Sequence, residues 1–443
     1  MVTRLQCASV PAEKPPESVA SGPLLNWLFV DMNSYFASVE QEVRPELRHR
    51  PVAIVPMMAD TTCCIAASYE AKAHGVKTGT MVGEARQMCP GLVLVEARHE
   101  LYVEYHHRIV DAVESCLPVT AVLSVDEMAC RLMGRERPLL AALELGRKVK
   151  ARIREQVGST LRSSVGLATN RYLAKVAGDM EKPDGLVALS PDILPTALRQ
   201  LSLRDLPGIG ARTEKKLNER GIRTMDDLLA LNCEQAGKQW GSVLGERLWH
   251  WLRGEDFDPT ETEHMKSLSH QHVLGPEMRS PEKAWAVAHK LLHKAAQRLR
   301  SNGLWAGSIG LAIGFAVPRE QGPVSRFGAP TRGWKAEIRL SETQDSQTLI
   351  AALCRLWASR PTGGEHNQPY YVGVSLNNLV PDHLHTLSLF DRLDGEENRS
   401  RLQEAMDHLN HKYGLSTLAP AAMLTAFKAA PTRISFHTIP ELF

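Results

Sequence analysis

Leu28-Phe-Val-Asp31-Met-Asn-Ser-Tyr-Phe36-Ala-Ser-Val-Glu40 opens with an apolar run that ends in an acid, the pattern of a buried strand with a carboxylate at its end. Such an acid is costly unless it meets cations or a metal. A second acidic site is Ser124-Val-Asp126-Glu127-Met128, where two apolar runs, 120–125 and 128–133, are separated only by Asp126 and Glu127. That reads as a hairpin with acids at its tip, although the favoured Asn-Gly or Asp-Gly turn pair is missing. Taken singly, each acid reads as a cap or surface residue. Brought together, three carboxylates repel one another, and divalent cations remove that cost. Magnesium takes few carboxylates plus substrate phosphates in octahedral oxygen geometry. Two such ions roughly 3.5–4 Å apart can activate a sugar hydroxyl and stabilise a leaving phosphate.

Working outward, residues 51–56 and 92–95 read as short strands. Residues 67–74 read as a helix stopped by Gly75 in the left-handed position, and 81–89 as a helix ended by Pro90. Helical spacing recurs over 104–116, 138–157 and 170–180, with a strand at 164–167. Strands interleaved with helices imply an α+β catalytic unit up to about residue 185. A small helical segment follows at about 190–258, then a third unit at about 264–380 reading helix–strand–strand–helix–strand. Its first helix starts with Ser280 as cap and Pro281 in the first turn, and closes at Gly303. In the next strand, bulky Ile309, Leu311, Ile313, Phe315 and Val317 alternate with Ser308, Gly310, Ala312, Gly314 and Ala316. The bare face would let a helix or a nucleic-acid backbone approach.

Hydrophobic residues make up 43% of the 443 and charged residues 23%, a well-cored globular composition that calls for two to four domains. The apolar run at 24–30 is far too short to span a bilayer. Residues 1–22, rich in Pro, Ser, Glu and Ala, read as a disordered arm. The eight cysteines form no Cys-x-x-Cys pair and no zinc frame, which fits free thiols in a reducing cytosol. The net charge of +2 is uninformative, but residues 266–380 carry 14 Lys and Arg against 7 Asp and Glu. A basic module in a near-neutral chain points modestly to nucleic acid.

Three further groups can carry chemistry. Tyr69 and Lys72, three apart on one helix, share a face. Lys175 lies opposite the apolar stripe of its helix, and a lysine beside a triphosphate neutralises charge on the leaving group. Leu206-Pro207-Gly208-Ile209-Gly210-Ala211-Arg212 looks like a helix-hairpin-helix, whose glycines let backbone N–H groups meet a DNA phosphate without reading sequence. Lys290, Lys294 and Arg298 form a basic row at i, i+4, i+8, and Arg332, Lys335 and Arg339 add cations on a later strand. Ordinary solvation accounts as well for any one of these taken alone.

Those residues resemble the Y-family translesion DNA polymerases, in particular the bacterial DNA polymerase IV and V groups. The resemblance runs from about residue 27 to 380. It rests on the 31–40 segment, Ser68-Tyr69-Glu70-Ala71-Lys72, residues 124–128, Val165-Gly166 followed by 170–185, and 207–210. It implies a multidomain right-hand fold: palm and small fingers over 24–185 (fingers about 35–98), a helical thumb over 186–260, an α/β little finger over 264–380 and a tail over 381–443. By the resemblance, Asp31, Asp126 and Glu127 are the catalytic acids and, with the Met32 carbonyl, ligate two Mg²⁺ ions, for which Mn²⁺ can substitute. Phe36 is the steric gate against a ribose 2′-hydroxyl, and Tyr69, Lys72 and Lys175 grip the triphosphate. Pro207, Gly208, Ile209 and Gly210 contact DNA, as do the little-finger cations. Two departures stand out: Asn33 where many members carry Asp, and Lys72 where Arg is usual, a point charge in place of a bidentate fork.

Thr386-Leu387-Ser388-Leu389-Phe390 resembles the short motif that docks such polymerases on the sliding clamp, through Leu387, Leu389 and Phe390, although Thr replaces the usual Gln. The expected activity is low-fidelity, template-directed DNA synthesis by a cytoplasmic monomer on primer-template DNA with deoxynucleoside triphosphates, and with no membrane partner. Two rivals are a non-catalytic DNA-binding scaffold and a nucleotide cyclase. The second needs no duplex grip.

Overall fold

The computed structural model describes residues 23–60, 62–257, 265–316, 331–361, 368–386, 396–414, 417–427 and 429. In chain order its elements are β1 (Trp27–Met32), α1 (Tyr35–Val43), β2 (Val52–Val55), β3 (Ala66–Ala67), α2 (Tyr69–Ala73), α3 (Val82–Met88), β4 (Val93–Glu96) and α4 (His99–Glu114). Next come β5 (Ala121–Val122), β6 (Glu127–Arg131), α5 (Leu139–Gln156), β7 (Ser163–Ala168), α6 (Arg171–Met180) and β8 (Leu186–Leu189). Short helices follow: α7 (Leu194–Arg199), α8 (Ala211–Glu219), α9 (Met225–Leu229), α10 (Cys233–Trp240) and α11 (Val243–Trp251). The chain continues with β9 (Ser267–Val273), α12 (Pro281–Ser301), β10 (Leu304–Ala316), β11 (Thr331–Thr343), α13 (Ser346–Ala358), β12 (Pro369–Pro381) and α14 (Glu396–Tyr413). The chain folds as two compact units: residues 1–48 with 105–257, and 49–104 with 258–443.

In the first unit a five-stranded sheet runs β5-β6-β1-β7-β8. The wholly buried β1 is central and pairs antiparallel with both β6 and β7. Helix α6 lies against β7 backbone to backbone, because Gly166 leaves room. A Cβ there would stand 1.9 Å from the Ala174 carbonyl oxygen and 2.3 Å from the Gly178 nitrogen. One continuous apolar core joins the sheet, α6 and the short helices α7 to α11, from Trp27 and Phe29 through Leu173 and Val176 to Leu206, Ile209, Leu217 and Leu248.

In the second unit a three-stranded sheet, β3-β2-β4, packs Ala53 and Val55 against Ala71, Val82 and Ala85 of α2 and α3. A separate antiparallel sheet, β11-β10-β12-β9, is covered on one face by α12 and α13. Ile309, Leu311, Ile313 and Phe315 enter that core as the alternation requires. The opposite face is less bare than expected. A Cβ at Gly314 would meet the Tyr371 ring at 2.3 Å and one at Gly310 the Ser375 hydroxyl at 2.6 Å, so neighbouring side chains already use the space.

Three strands escaped the sequence reading: the two-residue β3, whose Ala67 was expected to open a helix, β8 and β9. β8 is four residues that pair parallel with β7 directly after the 182–185 turn. β9, Ser-Leu-Ser-His-Gln-His-Val, buries only Leu268 fully and pairs at the sheet edge with β12, so it shows no β-branched signature. The tail packs on this unit as well. Met423 and Ala426 are buried, Ala426 within the core between this sheet and α12 and α13, and Arg300 of α12 grips both carboxylate oxygens of Asp407 on α14, at 2.6 and 3.0 Å.

Candidate active site

Asp31 and Glu127 stand directly opposite each other in the β1–β6 ladder, and the Asp126 carbonyl accepts the Met32 N–H at 2.9 Å. Hairpin pairing of Ala121 with Ala129 and Val122 with Met128 presents Asp126 and Glu127 beside the end of β1. Glu127 opens strand β6, so of the two acids only Asp126 belongs to the turn. The hairpin is held from behind by His106, whose buried Nδ1 donates to the Val125 carbonyl at 2.8 Å; burial keeps its pKa below the ordinary value.

Like charges opposite one another in a ladder destabilise it. Burial, opposed in part by Lys182 and aided by Asp126 and Glu127, pushes the Asp31 carboxyl up to about 7. Burial also raises Asp126, against the hydrogen bond from Ser124. Two lysines answer this charge. Lys182 donates to Asp31 at 2.8 Å and pairs with Asp179 at 2.7 Å, and Lys175 pairs with Glu127. Burial alone would lower Lys182, but the two aspartates outweigh it and hold the ammonium above its usual range.

An all-oxygen donor set with a strained carboxylate is the chemistry of a hard dication site. Among the described residues, no three His, Cys, Asp or Glu side chains are placed to hold an ion as they stand. Two of the three acids are occupied by lysines, so ion binding here entails exchange of one cation for another.

Lys182 and its supports were absent from the sequence-derived site. Asn33 donates to Ser164 Oγ at 3.0 Å and accepts the Asp184 N–H at 2.7 Å, so its amide uses a donor and an acceptor to pin the turn that carries Lys182. Lys150 donates to the Ser163 and Gly185 carbonyls at 3.0 and 2.9 Å and holds the same turn. Lys182-Pro-Asp-Gly reads as a helix end; the available signal was its spacing of seven from Lys175, two helical turns.

Phe36 is half-buried in the first turn of α1, just past Ser34, which adopts a left-handed conformation (φ 48°). Tyr69 and Lys72 come together in the second unit as their spacing implied, with the ammonium 4.4 Å from the ring centroid. At the hairpin, Ile209 is buried, Gly208 has φ 89° and Gly210 caps α8 without a side-chain bond. A Cβ on Gly210 would meet nothing within 4 Å, and its φ of −86° requires no glycine. The chain itself therefore gives no reason for a bare residue at this helix start.

On β11, Lys335 and Arg339 are exposed, with Glu337 between them accepting from Ser308 Oγ and from Asn377 Nδ2 at 3.1 Å. Lys294 and Arg298 are half-buried near His270; burial first, then these two cations, lowers that imidazole to about 4. Lys290 does not continue their row toward solvent. It is buried and donates to the carbonyls of Ala426, Phe427 and Ala429 at 3.4, 2.7 and 2.6 Å, which leaves nothing for a phosphate. The Arg332 side chain and Leu387, Leu389 and Phe390 lie outside the described residues. Also among the described residues, no helix is long and apolar enough to cross a membrane.

Comparison with known proteins bears on this geometry. Residues 30–179 match the impB/mucB/samB family model, 265–389 its C-terminal domain, and 204–256 the thumb-domain model of DNA polymerase-iota. The chain is 35% identical to the DNA polymerase IV of Moorella thermoacetica over 404 residues, covering 90% of this chain and 96% of that protein. It is 31% identical to the DNA polymerase IV of Pelotomaculum thermopropionicum, over 90% and 95%. Among solved structures, a Y-family DNA polymerase chimera of Dbh and Dpo4 superposes with a TM-score of 0.63 at 25% identity, over 80% of this chain and 99% of that one. An insertion ternary complex of Dbh DNA polymerase, 24% identical with a TM-score of 0.53, shares the fold.

Proposed function

The chain belongs to the Y family of DNA polymerases, of the polymerase IV type, and from that premise we propose how its residues carry out the reaction. It is a DNA-directed, translesion DNA polymerase that depends on divalent cations. The primer 3′-hydroxyl attacks the α-phosphate of a paired deoxynucleoside triphosphate, and pyrophosphate leaves.

In our reading Asp31, Asp126, Glu127 and the Met32 carbonyl hold two Mg²⁺ ions. The observation that carries it is the opposition of Asp31 and Glu127, each neutralised by a lysine. When bound, such ions supply Lewis-acid activation of the hydroxyl and charge neutralisation on the departing pyrophosphate. Lys175 and Lys182, released from the acids, are then free to neutralise the triphosphate together with Tyr69 and Lys72. Phe36 blocks the ribose 2′-hydroxyl. The open start of α8 at Pro207, Gly208, Ile209 and Gly210 takes a duplex phosphate, which gives Gly210 the external reason that the chain lacks. Lys335 and Arg339 on β11, and Lys294 and Arg298 on α12, supply positive charge for the duplex. We also propose that 24–185 act as palm and fingers, 186–260 as thumb and 264–380 as little finger. The protein works as a cytoplasmic monomer, and residues 387–390 dock on the sliding clamp.

Primer extension with Mg²⁺ and deoxynucleotides tests the core of this. Asp126→Ala should lose activity by about 10³-fold or more, the scale on which a preorganised electrostatic group acts. Extension unaffected by Asp126→Ala removes that acid from the site, and a wild-type chain that adds nothing to a primer favours a scaffold. Phe36→Ala should raise ribonucleotide incorporation by about 10- to 100-fold, the range a steric pocket discriminates. Unchanged sugar selection would remove Phe36 from the gate.

A further inference from the structure

We infer that Tyr172 is a positioning residue that ties the phosphate-binding hairpin of the thumb to the helix carrying the active-site lysine, and so sets where the duplex sits relative to the catalytic acids. The inference rests on the proposed phosphate-binding role of the hairpin and adds to it the device that fixes its register.

Helix α6 does two jobs within one turn. Its cap, Asn170, accepts the Leu173 N–H at 2.8 Å with one end of its amide. With the other end it donates to the carbonyls of Trp251 and Glu255 at 2.9 and 3.0 Å, where the thumb helices end. Two residues on, the Tyr172 ring stacks on Trp251, centroids 5.2 Å apart and planes 16° from parallel, and Trp251 stacks in turn on Phe257. The Tyr172 hydroxyl donates to the Pro207 carbonyl at 3.0 Å. Pro207 immediately precedes Gly208, the residue whose positive φ makes the hairpin turn. Three residues further along α6, Lys175 pairs with Glu127. The rise between Tyr172 and Lys175 is roughly 4.5 Å, less than one helical turn. A displacement of the hairpin is therefore transmitted through a hydroxyl, a ring and a single rigid turn to the acid cluster.

Asp256 strengthens the same junction. It takes hydrogen bonds from Asn26 Nδ2 and Trp27 Nε1, both at 2.9 Å, and pairs with Arg131 at 2.7 Å. These contacts dock the thumb as a body on β1 and β6. Only the Tyr172 hydroxyl, among these, reaches the hairpin turn itself, so it controls the turn without being needed for docking.

The test compares Tyr172→Phe with the wild type on a primer-template, reading the dissociation constant for DNA, kcat and the KM for DNA separately. Phenylalanine keeps the ring stack and leaves the Pro207 carbonyl without its donor. The expected result is weaker DNA binding and a higher KM for DNA, by about five-fold for one hydrogen bond, together with a lower kcat at saturating DNA, because the bound duplex is no longer held in register with the acids. Tyr172→Leu, which also loses the stack, should weaken DNA binding further; if it fails to fold, Tyr172→Phe still decides. A Tyr172→Phe protein with unaltered DNA affinity and KM overturns the inference. So does one in which kcat and KM are unchanged per folded molecule while thermal stability alone falls, the signature of a merely structural tyrosine. Gly210→Glu separates the underlying reading, since a carboxylate at the helix start should repel a phosphate. If Gly210→Glu leaves affinity intact, the hairpin does not bind DNA. If it weakens binding and Tyr172→Phe does not, only the coupling fails.

Discussion

Lys182, partly exposed just past the end of α6, and Lys290, buried within α12, are both withdrawn from solvent by acceptors of very different kinds. Lys182 sits against two carboxylates, and they hold its ammonium above the ordinary range. Lys290 sits against three backbone carbonyls, and burial pulls its pKa below 10.5. A lysine held by carboxylates that repel one another can be displaced by a better cation and then used on a substrate. A lysine held by carbonyls of a folded segment cannot leave without freeing that segment. In the proposed reading the first is therefore a displaceable counter-ion of the acid cluster, while the second is a fastener between α12 and the C-terminal turn.

The largest expected effect follows from the strain on the reactive side. Burial lifts Asp31 from an ordinary 3.8 to about 7, so the folded metal-free protein binds a proton there that the unfolded chain has already lost. The stability due to the protonated form is complete below 3.8 and disappears as pH rises to about 7. By linkage that span corresponds to on the order of 4 kcal/mol. Thermal midpoints in EDTA should therefore fall as pH climbs from about 4 to 7. Asp31→Asn, which cannot ionise, should flatten the slope, and saturating Mg²⁺ should cancel it, because a bound dication favours the carboxylate. A metal-free midpoint that rises over this window in the wild type would show that Asp31 is not strained.

Next in size is the release of Lys182. Lys182→Ala should lower kcat/KM for the incoming nucleotide by about 10- to 100-fold, mainly through KM, with little change in thermal midpoint when Mg²⁺ is present. The comparison breaks if this variant instead unfolds while turning over normally per folded molecule, for Lys182 would then be a fastener too.

How much of this the sequence made legible depends on the range over which each signal acts. Asp31, Asp126 and Glu127 were readable because an acid at the end of an apolar run is locally anomalous. The ladder then opposes Asp31 and Glu127 in register. The α2 face of Tyr69 and Lys72 and the cap at Ser280 rest on helical spacing and came out as expected. What failed is non-local. Nothing in residues 182–185 announces that Asn33, 151 positions away from Asp184, pins their turn. Lys290 looks like one more cation in a basic row until the carbonyls of Ala426, Phe427 and Ala429 fold back over it. β9 carries a nearly polar sequence because its partner strand supplies the order.

Lys290 gives the smallest expected effect and the sharpest separation. Lys290→Met preserves the length of the stem and removes the ammonium, so three carbonyls lose their donor. Leaving buried acceptors unpaired costs about 1–3 kcal/mol, but the variant no longer desolvates a charge, which offsets part of it. A net loss of about 1 kcal/mol is expected, seen as faster hydrogen exchange over the 421–429 segment. Its pH dependence runs opposite to that of Asp31. A lysine whose pKa is depressed in the fold binds fewer protons than the unfolded chain, so its penalty shrinks as pH rises toward 10.5, and Lys290→Met should remove that gain. DNA affinity and its salt dependence should stay as in the wild type. If Lys290→Met instead makes the slope of log affinity against log salt shallower by about one, a phosphate contact has been lost. Lys290 would then rejoin the basic row and the distinction between the two lysines would fail.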